Sequence, residues 1–177
     1  MNFKPMVINL IYIALLLFVS CSSPQVQITE SNAEITSAKN NSENNFTAKV
    51  IRIIDGDTIE VLYHELPVTI RLEHIDCPEK KQPFGTKAKQ TLSELCFGQN
   101  IEIEFNGDKD RNGRYICVLY NEDGTNINKK MISLGMAWHF KKYSKDNSYA
   151  ELENEARKNK VGLWQESNPI PPWDWRK

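Results

Sequence analysis

Hydrophobic and polar residues alternate along the chain downstream of residue 45, and this alternation marks the first elements of a folded domain. The stretches 46–54, 58–64 and 68–75 each have a period of two and are rich in β-branched residues, which predicts three strands. Asp55-Gly56 between the first two strands is a tight-turn signal, and a second short turn precedes the third. Because short turns join the three strands, we predict an antiparallel meander.

The period changes to that of a helix over residues 84–97. Ala88, Leu92 and Leu95 have the spacing i, i+4, i+7 of an amphipathic helix, and Gly98 follows at a stop position. Further strands are predicted at 101–105 and 114–120, further helices at 127–134 and 151–158, and an extended Pro- and Trp-rich tail at 169–175. A helix between the third and fourth of five short strands predicts an α+β fold, a five-stranded OB-fold β-barrel with about three α-helices.

The first twenty residues differ in composition from the rest of the chain. Lys4 precedes an apolar run that is shorter than the roughly 20 residues a bilayer span requires, as is typical of a secretory signal. Phe18-Val19-Ser20-Cys21 is similar to a bacterial lipobox, although leucine is favoured at the position of Phe18. We therefore expect lipidation of Cys21. Ordinary signal cleavage beside an incidental cysteine is the alternative.

Residues 21–45 are rich in Ser, Asn, Thr and Glu and contain no aromatic residue, so they bury too little surface to fold. The expected organisation is a lipoprotein signal peptide at 1–20, the lipidated cysteine and a flexible linker at 21–45, and the folded domain at 46–177. We expect an exported protein of the bacterial cell envelope that contacts the membrane only through its N-terminal lipid. A monomer is the default expectation.

The overall charge does not favour a nucleic-acid partner, because 22 basic residues face 23 acidic ones and the formal net charge is -1. A positive surface would have to come from local clusters. Basic residues of the predicted loops and helices are Lys80, Lys81, Lys87, Lys89, Lys109, Arg111, Lys129, Lys130, Lys141 and Lys142. If they line one face, they would hold the backbone of a single strand. A solvated scatter of lysines is the alternative.

Three cysteines follow Cys21 in the sequence, namely Cys77, Cys96 and Cys117. An exported protein can form a disulfide, but an odd number leaves at least one thiol unpaired. Buried apolar packing is the simpler interpretation of Cys96 and Cys117. No CxxC or Cys/His spacing predicts a zinc site.

Carboxylates lie at the first hairpin tip, Asp55-Gly56-Asp57-Thr58, and directly after the third strand, in Ile75-Asp76-Cys77-Pro78-Glu79. This placement can bring Asp57 and Asp76 within reach of one ion, and the Cys77 carbonyl would add an oxygen. Calcium prefers such oxygen ligands. Turn geometry alone is the alternative explanation for an aspartate at a hairpin tip.

Two arginines and a glutamate complete the set of candidate site residues. Arg71 lies within an apolar strand, and Arg114 follows Asp110 at the start of the last strand. A guanidinium group binds phosphate oxygens bidentately, although either arginine is also compatible with a solvated strand face. Glu79 follows Pro78 in a loop, where it can activate water as a general base or simply face solvent.

Together, these motifs resemble the staphylococcal (thermo)nuclease family. The resemblance runs from about residue 46 to residue 164. It is carried by Ile54-Asp55-Gly56-Asp57-Thr58, Arg71, Ile75-Asp76-Cys77-Pro78-Glu79, Phe84-Gly85, Gly113-Arg114 and Gly135-Met136-Ala137-Trp138. The segment Pro171-Pro172-Trp173-Asp174-Trp175-Arg176 resembles a tail found in many bacterial members.

The resemblance implies a calcium-dependent nuclease that cleaves the 5′ P–O bond of DNA and RNA and leaves 3′-phosphate products, with single strands as the expected preference. The implied roles are Ca²⁺ ligation by Asp57, Asp76 and the Cys77 backbone carbonyl, general base catalysis by Glu79, and phosphate binding by Arg71 and Arg114. A noncatalytic OB-fold module that binds nucleic acid or protein is the alternative. A purely structural lipoprotein would leave the joint match unexplained.

The sequence departs from the founding member of the family at positions near the substrate. Cys77 replaces a threonine, which a carbonyl ligand tolerates. Asn112 and Lys141 stand where that enzyme has tyrosines, whereas Tyr143 matches a tyrosine and is implied to bind substrate. The implied hydrolytic centre is complete, but the implied contacts to the bases are not.

Overall fold

Five strands close into a barrel in the computed structural model, which describes residues 45–177. The strands of the chain are β1 (Asn45–Ile53), β2 (Thr58–Tyr63), β3 (Leu66–Leu72), β4 (Ile75–Asp76), β5 (Asn100–Lys109), β6 (Tyr115–Tyr120) and β7 (Trp138–His139). The barrel order is β1-β2-β3-β6-β5, and only the β3–β6 pair within it is parallel. The α+β OB-type barrel and its antiparallel β1–β2–β3 meander are therefore confirmed.

The helices lie between and after the strands. They are α1 (Gly85–Cys96), α2 (Ile127–Ser133), α3 (Asn147–Lys158) and α4 (Pro172–Trp175), with a 3₁₀ turn at Gly162–Gln165. The helix predicted at 84–97 is α1, and it lies between the third and fourth barrel strands as expected. No helix among residues 45–177 has the length and apolar character to cross a membrane. The predicted signal peptide, Cys21 and the predicted linker up to residue 44 lie outside the described residues.

The barrel interior forms the main hydrophobic core. The alternating strand residues Ile59, Ile70 and Ile101 are fully buried, and α1 covers them with Leu92. A second cluster of Trp138, Ala156, Leu163 and Trp164 packs outside the barrel, with Trp173 of the tail against it. This second cluster connects α3 and the C-terminal tail to the segment around β7.

The predicted third strand is wrong in one respect, because the chain leaves the barrel before residue 75. β3 ends at Leu72, and His74 has a left-handed φ of 68°, which turns the chain outward. The N–H of Glu73 donates to the carbonyl of Cys117 at 2.8 Å, which fixes the point of departure. The short strand β4 then pairs with β7 in a separate two-stranded sheet. Asp76 is carried by this second sheet.

The C-terminal tail also differs from the prediction of an extended segment. Its last residues form one helical turn, α4, which begins at Pro172 after Pro171 in an extended conformation. A proline at the first helical position has a suitable φ and needs no hydrogen-bond partner for its nitrogen. The turn directs the end of the chain back towards β4.

Candidate active site

Three segments meet at one end of the barrel: the β1–β2 hairpin tip, the chain that leaves β3, and the β5–β6 hairpin. Arg71 of β3 is opposite Thr58 of β2 on one side and Ile116 of β6 on the other. The N–H of Leu72 donates to the carbonyl of Asp57 at 2.8 Å and holds the hairpin tip against β3. Local strand pairing therefore brings residues from distant parts of the sequence together.

Asp57 is buried at the hairpin tip and accepts hydrogen bonds on both carboxylate oxygens. Its Oδ2 accepts from the N–H of Cys77 at 2.7 Å, and its Oδ1 accepts from the hydroxyl of Thr58 at 3.2 Å. Burial raises the pKa of Asp57 to about 7, although the nearby Arg71 guanidinium opposes the shift. The carboxylate therefore lies where additional positive charge would favour its ionised form.

Arg71 links the two aspartates that the sequence singles out. Its Nη2 lies 3.2 Å from Asp57 Oδ2 and 3.0 Å from Asp76 Oδ1, and its Nη1 donates to the carbonyl of Leu72 at 2.7 Å. Burial works against the charge, but Asp57 and then Asp76 raise the pKa of Arg71 above its ordinary value. Two buried carboxylates thus converge on one guanidinium nitrogen.

Arg114 is held at the opening of β6 by a neighbour four residues earlier. Asp110 Oδ2 accepts from Arg114 Nε and Nη2, each at 2.7 Å, and Asp110 Oδ1 accepts from the Arg114 backbone N–H at 2.9 Å. The remaining Nη1 donates to the Thr58 hydroxyl at 3.1 Å. Because Thr58 in turn donates to Asp57, the four side chains form one continuous network.

Glu79 lies at the edge of this cluster with its side chain 40% exposed. Its backbone is fixed by two hydrogen bonds with Gln82. The side-chain Oε1 of Gln82 accepts from the Glu79 N–H at 3.0 Å, and the backbone N–H of Gln82 donates to the Glu79 carbonyl at 2.8 Å. The backbone of Gly85 approaches closely, since an added Cβ there would lie 1.9 Å from the Glu79 carbonyl oxygen. The loop before α1 therefore places Glu79 in contact with water.

Oxygen donors dominate the cluster, and their chemistry fits a hard cation such as calcium. Asp57 and Asp76 supply buried carboxylates. Burial raises the pKa of the Cys77 thiol well above its ordinary value, and its Sγ donates to the carbonyl of Gly56 at 3.1 Å. Within residues 45–177 no three His, Cys, Asp or Glu side chains form a ready-made metal cluster. Any ion would thus rely on the two aspartates together with backbone or water oxygens.

The comparisons with known proteins agree with this geometry. Residues 69–166 match the family described as staphylococcal nuclease homologue. A protein named uncharacterized endonuclease from Escherichia coli is 41% identical over 128 residues, which cover 72% of this chain and 83% of that protein. A micrococcal nuclease from Shigella flexneri is 40% identical over 142 residues, which cover 75% of this chain and 81% of that protein. The chain belongs to the staphylococcal nuclease family. It is a nuclease.

Tyr143, the implied substrate contact, lies outside the network of this nuclease. Its ring is 69% exposed and packs against Phe140, with centroids 4.8 Å apart, and the Lys142 ammonium lies 5.1 Å from its centroid. Lys141, where the founding member has a tyrosine, pairs with the buried Glu153 at 3.2 Å. The substitution at Lys141 is thus explained by a local ion pair.

Sequence reasoning assigned no role to three residues that complete the site of the nuclease. Asp110 and Thr58 hold Arg114. Thr58 ends the motif at the first hairpin tip, and Asp110 precedes Arg114 at the start of the last strand. Arg176 contacts Asp76 and Glu79 from the opposite end of the chain. The short spacing of Asp110 and Arg114 in the sequence could have indicated the contact between them. No local sequence pattern indicates the contacts of Arg176.

Proposed function

We propose that this nuclease hydrolyses phosphodiester bonds of DNA and RNA in a calcium-dependent reaction at the cluster described above. The convergence of the buried Asp57 and Asp76 carboxylates on one Arg71 nitrogen, beside the partly exposed Glu79, is the observation that carries the proposal. Such an arrangement combines a cation site, a base in contact with water and a phosphate-binding guanidinium within one small area.

Asp57, Asp76 and the backbone carbonyl of Cys77 are the proposed ligands of Ca²⁺. The raised pKa of Asp57 supports this assignment, because a buried carboxylate gains from a bound cation. When bound, the ion stabilises the negative charge that develops on the phosphate oxygens.

Glu79 is the proposed general base. It accepts a proton from a water molecule while the water oxygen attacks phosphorus. The bond to the 5′ oxygen breaks, this oxygen leaves with the bonding electron pair and takes a proton from solvent, and the phosphate stays on the 3′ side. The side-chain exposure of 40% gives Glu79 access to that water.

Arg71 and Arg114 are the proposed phosphate clamp. Their charges favour the oxygen-rich transition state over the ground state, provided that both guanidinium groups are already in place. The hydrogen bonds from Arg71 to Leu72 and from Arg114 to Asp110 and Thr58 provide this preorganisation. We propose Tyr143 as an outer substrate contact, since its exposed ring can stack on a base.

The direct test is digestion of single-stranded and double-stranded DNA and of RNA by the full-length protein, with calcium and then with a chelator. We expect cleavage with calcium, no cleavage with the chelator, and faster digestion of single strands. Products should carry 3′-phosphate ends. Equal digestion under both conditions would overturn the calcium mechanism, and binding without cleavage would support the noncatalytic OB module instead.

We also propose that the nuclease is exported and attached to a membrane of the bacterial cell envelope through lipid on Cys21. The lipobox-like sequence ending at Cys21 supports this location. Metabolic labelling with a fatty acid should mark the wild-type protein and leave Cys21→Ala unlabelled. Equal labelling of both proteins would contradict the proposal.

A further inference from the structure

The C-terminal tail places a positive charge on two of the proposed active-site acids. Arg176 Nη2 lies 2.6 Å from Asp76 Oδ2, and Arg176 Nη1 lies 3.3 Å from Asp76 Oδ1. The same Nη1 donates to Glu79 Oε1 at 2.7 Å. Both terminal nitrogens of one guanidinium therefore bind the proposed ligand Asp76, and one of them also binds the proposed base Glu79.

Aromatic packing anchors the tail upstream of this contact. Trp173 stacks on Phe140 with a centroid distance of 5.6 Å and an interplanar angle of 5°, and it meets Trp138 edge-on at 5.7 Å. Pro172 is buried, and the Ile170 carbonyl accepts a hydrogen bond from Gln82 at 2.5 Å. The tail is thus held next to the site whether or not Arg176 occupies it.

Arg176 is far less enclosed than Asp76 and about as exposed as Glu79, whose side chain is 40% exposed. The side chain of Arg176 is 43% exposed, whereas that of Asp76 is 2% exposed. The backbone N–H of Arg176 donates to Pro172, so the last turn of the tail aims the side chain at the site from the solvent side. A change of side-chain rotamer at the chain end is sufficient to release the guanidinium into water.

Arg71 already neutralises part of the charge on Asp76 from the inside, and it also pairs with Asp57. It is buried and fixed by the Leu72 carbonyl, so it is not free to leave. Arg176 is therefore the exchangeable cation of the site. It lies on Asp76, one of the two carboxylates proposed to bind a divalent ion, and it hydrogen-bonds Glu79, the proposed proton acceptor.

We propose that Arg176 is a built-in competitor for calcium, which occupies Asp76 and Glu79 when calcium is scarce and is displaced when calcium binds. This inference rests on the proposed function. While Arg176 is in place, its two terminal nitrogens occupy both carboxylate oxygens of Asp76, and one of them also hydrogen-bonds the Glu79 carboxylate that would have to bind water. The tail thereby sets the calcium concentration at which the nuclease becomes active.

Calcium titration of purified full-length variants tests the proposal without an activity readout. Arg176→Gln removes the competitor and should bind calcium about fivefold more tightly than wild type, equivalent to about 1 kcal/mol for a partly exposed ion pair. Lys177→Gln is the matched control, because it removes an equal charge from the adjacent residue, which pairs with Asp174. The control should stay within about twofold of wild type.

Thermal unfolding of the same three proteins provides a second readout. With chelator present, Arg176→Gln should melt at or below the wild-type temperature, since Asp76 loses a partner. Added calcium should then stabilise Arg176→Gln more than wild type or Lys177→Gln, because bound ligand stabilises the folded state in proportion to its affinity.

The possible outcomes separate this inference from the proposed function. If Arg176→Gln binds calcium no more tightly than wild type while calcium-dependent cleavage persists, the inference alone is overturned. If Lys177→Gln tightens binding as much as Arg176→Gln, general charge accounts for the effect and the inference is again overturned. If no protein binds calcium, the proposed function fails and the inference fails with it.

Discussion

Among individual side chains, the proposed role of Glu79 as general base can be tested with a single substitution. Glu79→Gln keeps the shape of the side chain but removes the proton acceptor. We expect the cleavage rate to fall by at least about 100-fold at saturating calcium, the lower range for general base catalysis. Glu94→Gln is the control, because Glu94 is exposed on α1, where it accepts a hydrogen bond from Gln90. An unchanged rate for Glu79→Gln would remove Glu79 from the role of base.

Asp110 supports Arg114, and its contribution to stability should depend on pH. Although desolvation opposes the shift, the backbone and side-chain hydrogen bonds from Arg114 hold the pKa of Asp110 below its ordinary value. Its stabilising effect is therefore fully present above about pH 4, the ordinary aspartate value, and is lost as the pH falls through the lowered folded-state pKa. Asp110→Asn should reduce the free energy of unfolding by about 1 kcal/mol at pH 7, after allowance for solvent screening.

Urea denaturation at pH 7 and at pH 3 measures this difference. The difference in the free energy of unfolding between wild type and Asp110→Asn should be smaller at pH 3 than at pH 7. Asp108→Asn removes a carboxylate two residues earlier, on β5. Its free energy of unfolding should equal that of wild type at both pH values. If Asp110→Asn lowered the free energy of unfolding by the same amount at pH 3 and at pH 7, the charge of Asp110 would not be what stabilises the loop.

Among the structural elements, the loop that leads into α1 is fixed by a close backbone contact at Gly85. A Cβ at this position would lie 1.9 Å from the Glu79 carbonyl oxygen and 2.7 Å from its carbon, so the Glu79 backbone or the helix start must move. We expect Gly85→Ala to lower the cleavage rate about 10- to 100-fold, since small misplacements of a reacting group have effects of that size.

Gly124→Ala is the comparison for Gly85→Ala. Gly124 has a φ of 74° but nothing within 4 Å of an added Cβ, so the substitution strains the backbone without touching the site. It should lower the melting temperature and leave the rate unchanged. A rate loss of equal size in both variants would show that general instability, and not the position of Glu79, limits cleavage.

The barrel strands, the helix α1 and the acidic motifs could be predicted because their signals are local, whereas the β4–β7 sheet and the helical turn α4 were not predicted. Alternation defines β1 to β3, and the i, i+4, i+7 spacing defines α1. The departure of the chain at His74 was missed because the alternating pattern continues through it, while the actual cause is a left-handed residue and a bond from Glu73 to Cys117. Arg176 was missed because its partner Asp76 lies 100 residues away and contact depends on how the tail docks.

For the molecule as a whole, the three cysteines of the described residues are unpaired and buried. Burial raises the pKa of the Cys96 and Cys117 thiols to about 12, so reactive thiolate is scarce near neutral pH. In a Cys21→Ala background, we expect reductant to leave the melting temperature unchanged. A thiol reagent should label the protein only after denaturation. A drop in melting temperature with reductant would reveal a disulfide and contradict this arrangement.

The central claim is that Asp57 and Asp76 hold the cation on which cleavage depends. The most direct measurement is the calcium dependence of single-stranded DNA cleavage by wild type, Asp57→Asn and the control Asp123→Asn, which alters an exposed turn. Because ligand charge sets calcium affinity, Asp57→Asn should need at least about tenfold more calcium for its half-maximal rate, and Asp123→Asn should match wild type. A wild-type calcium dependence in Asp57→Asn would contradict the account.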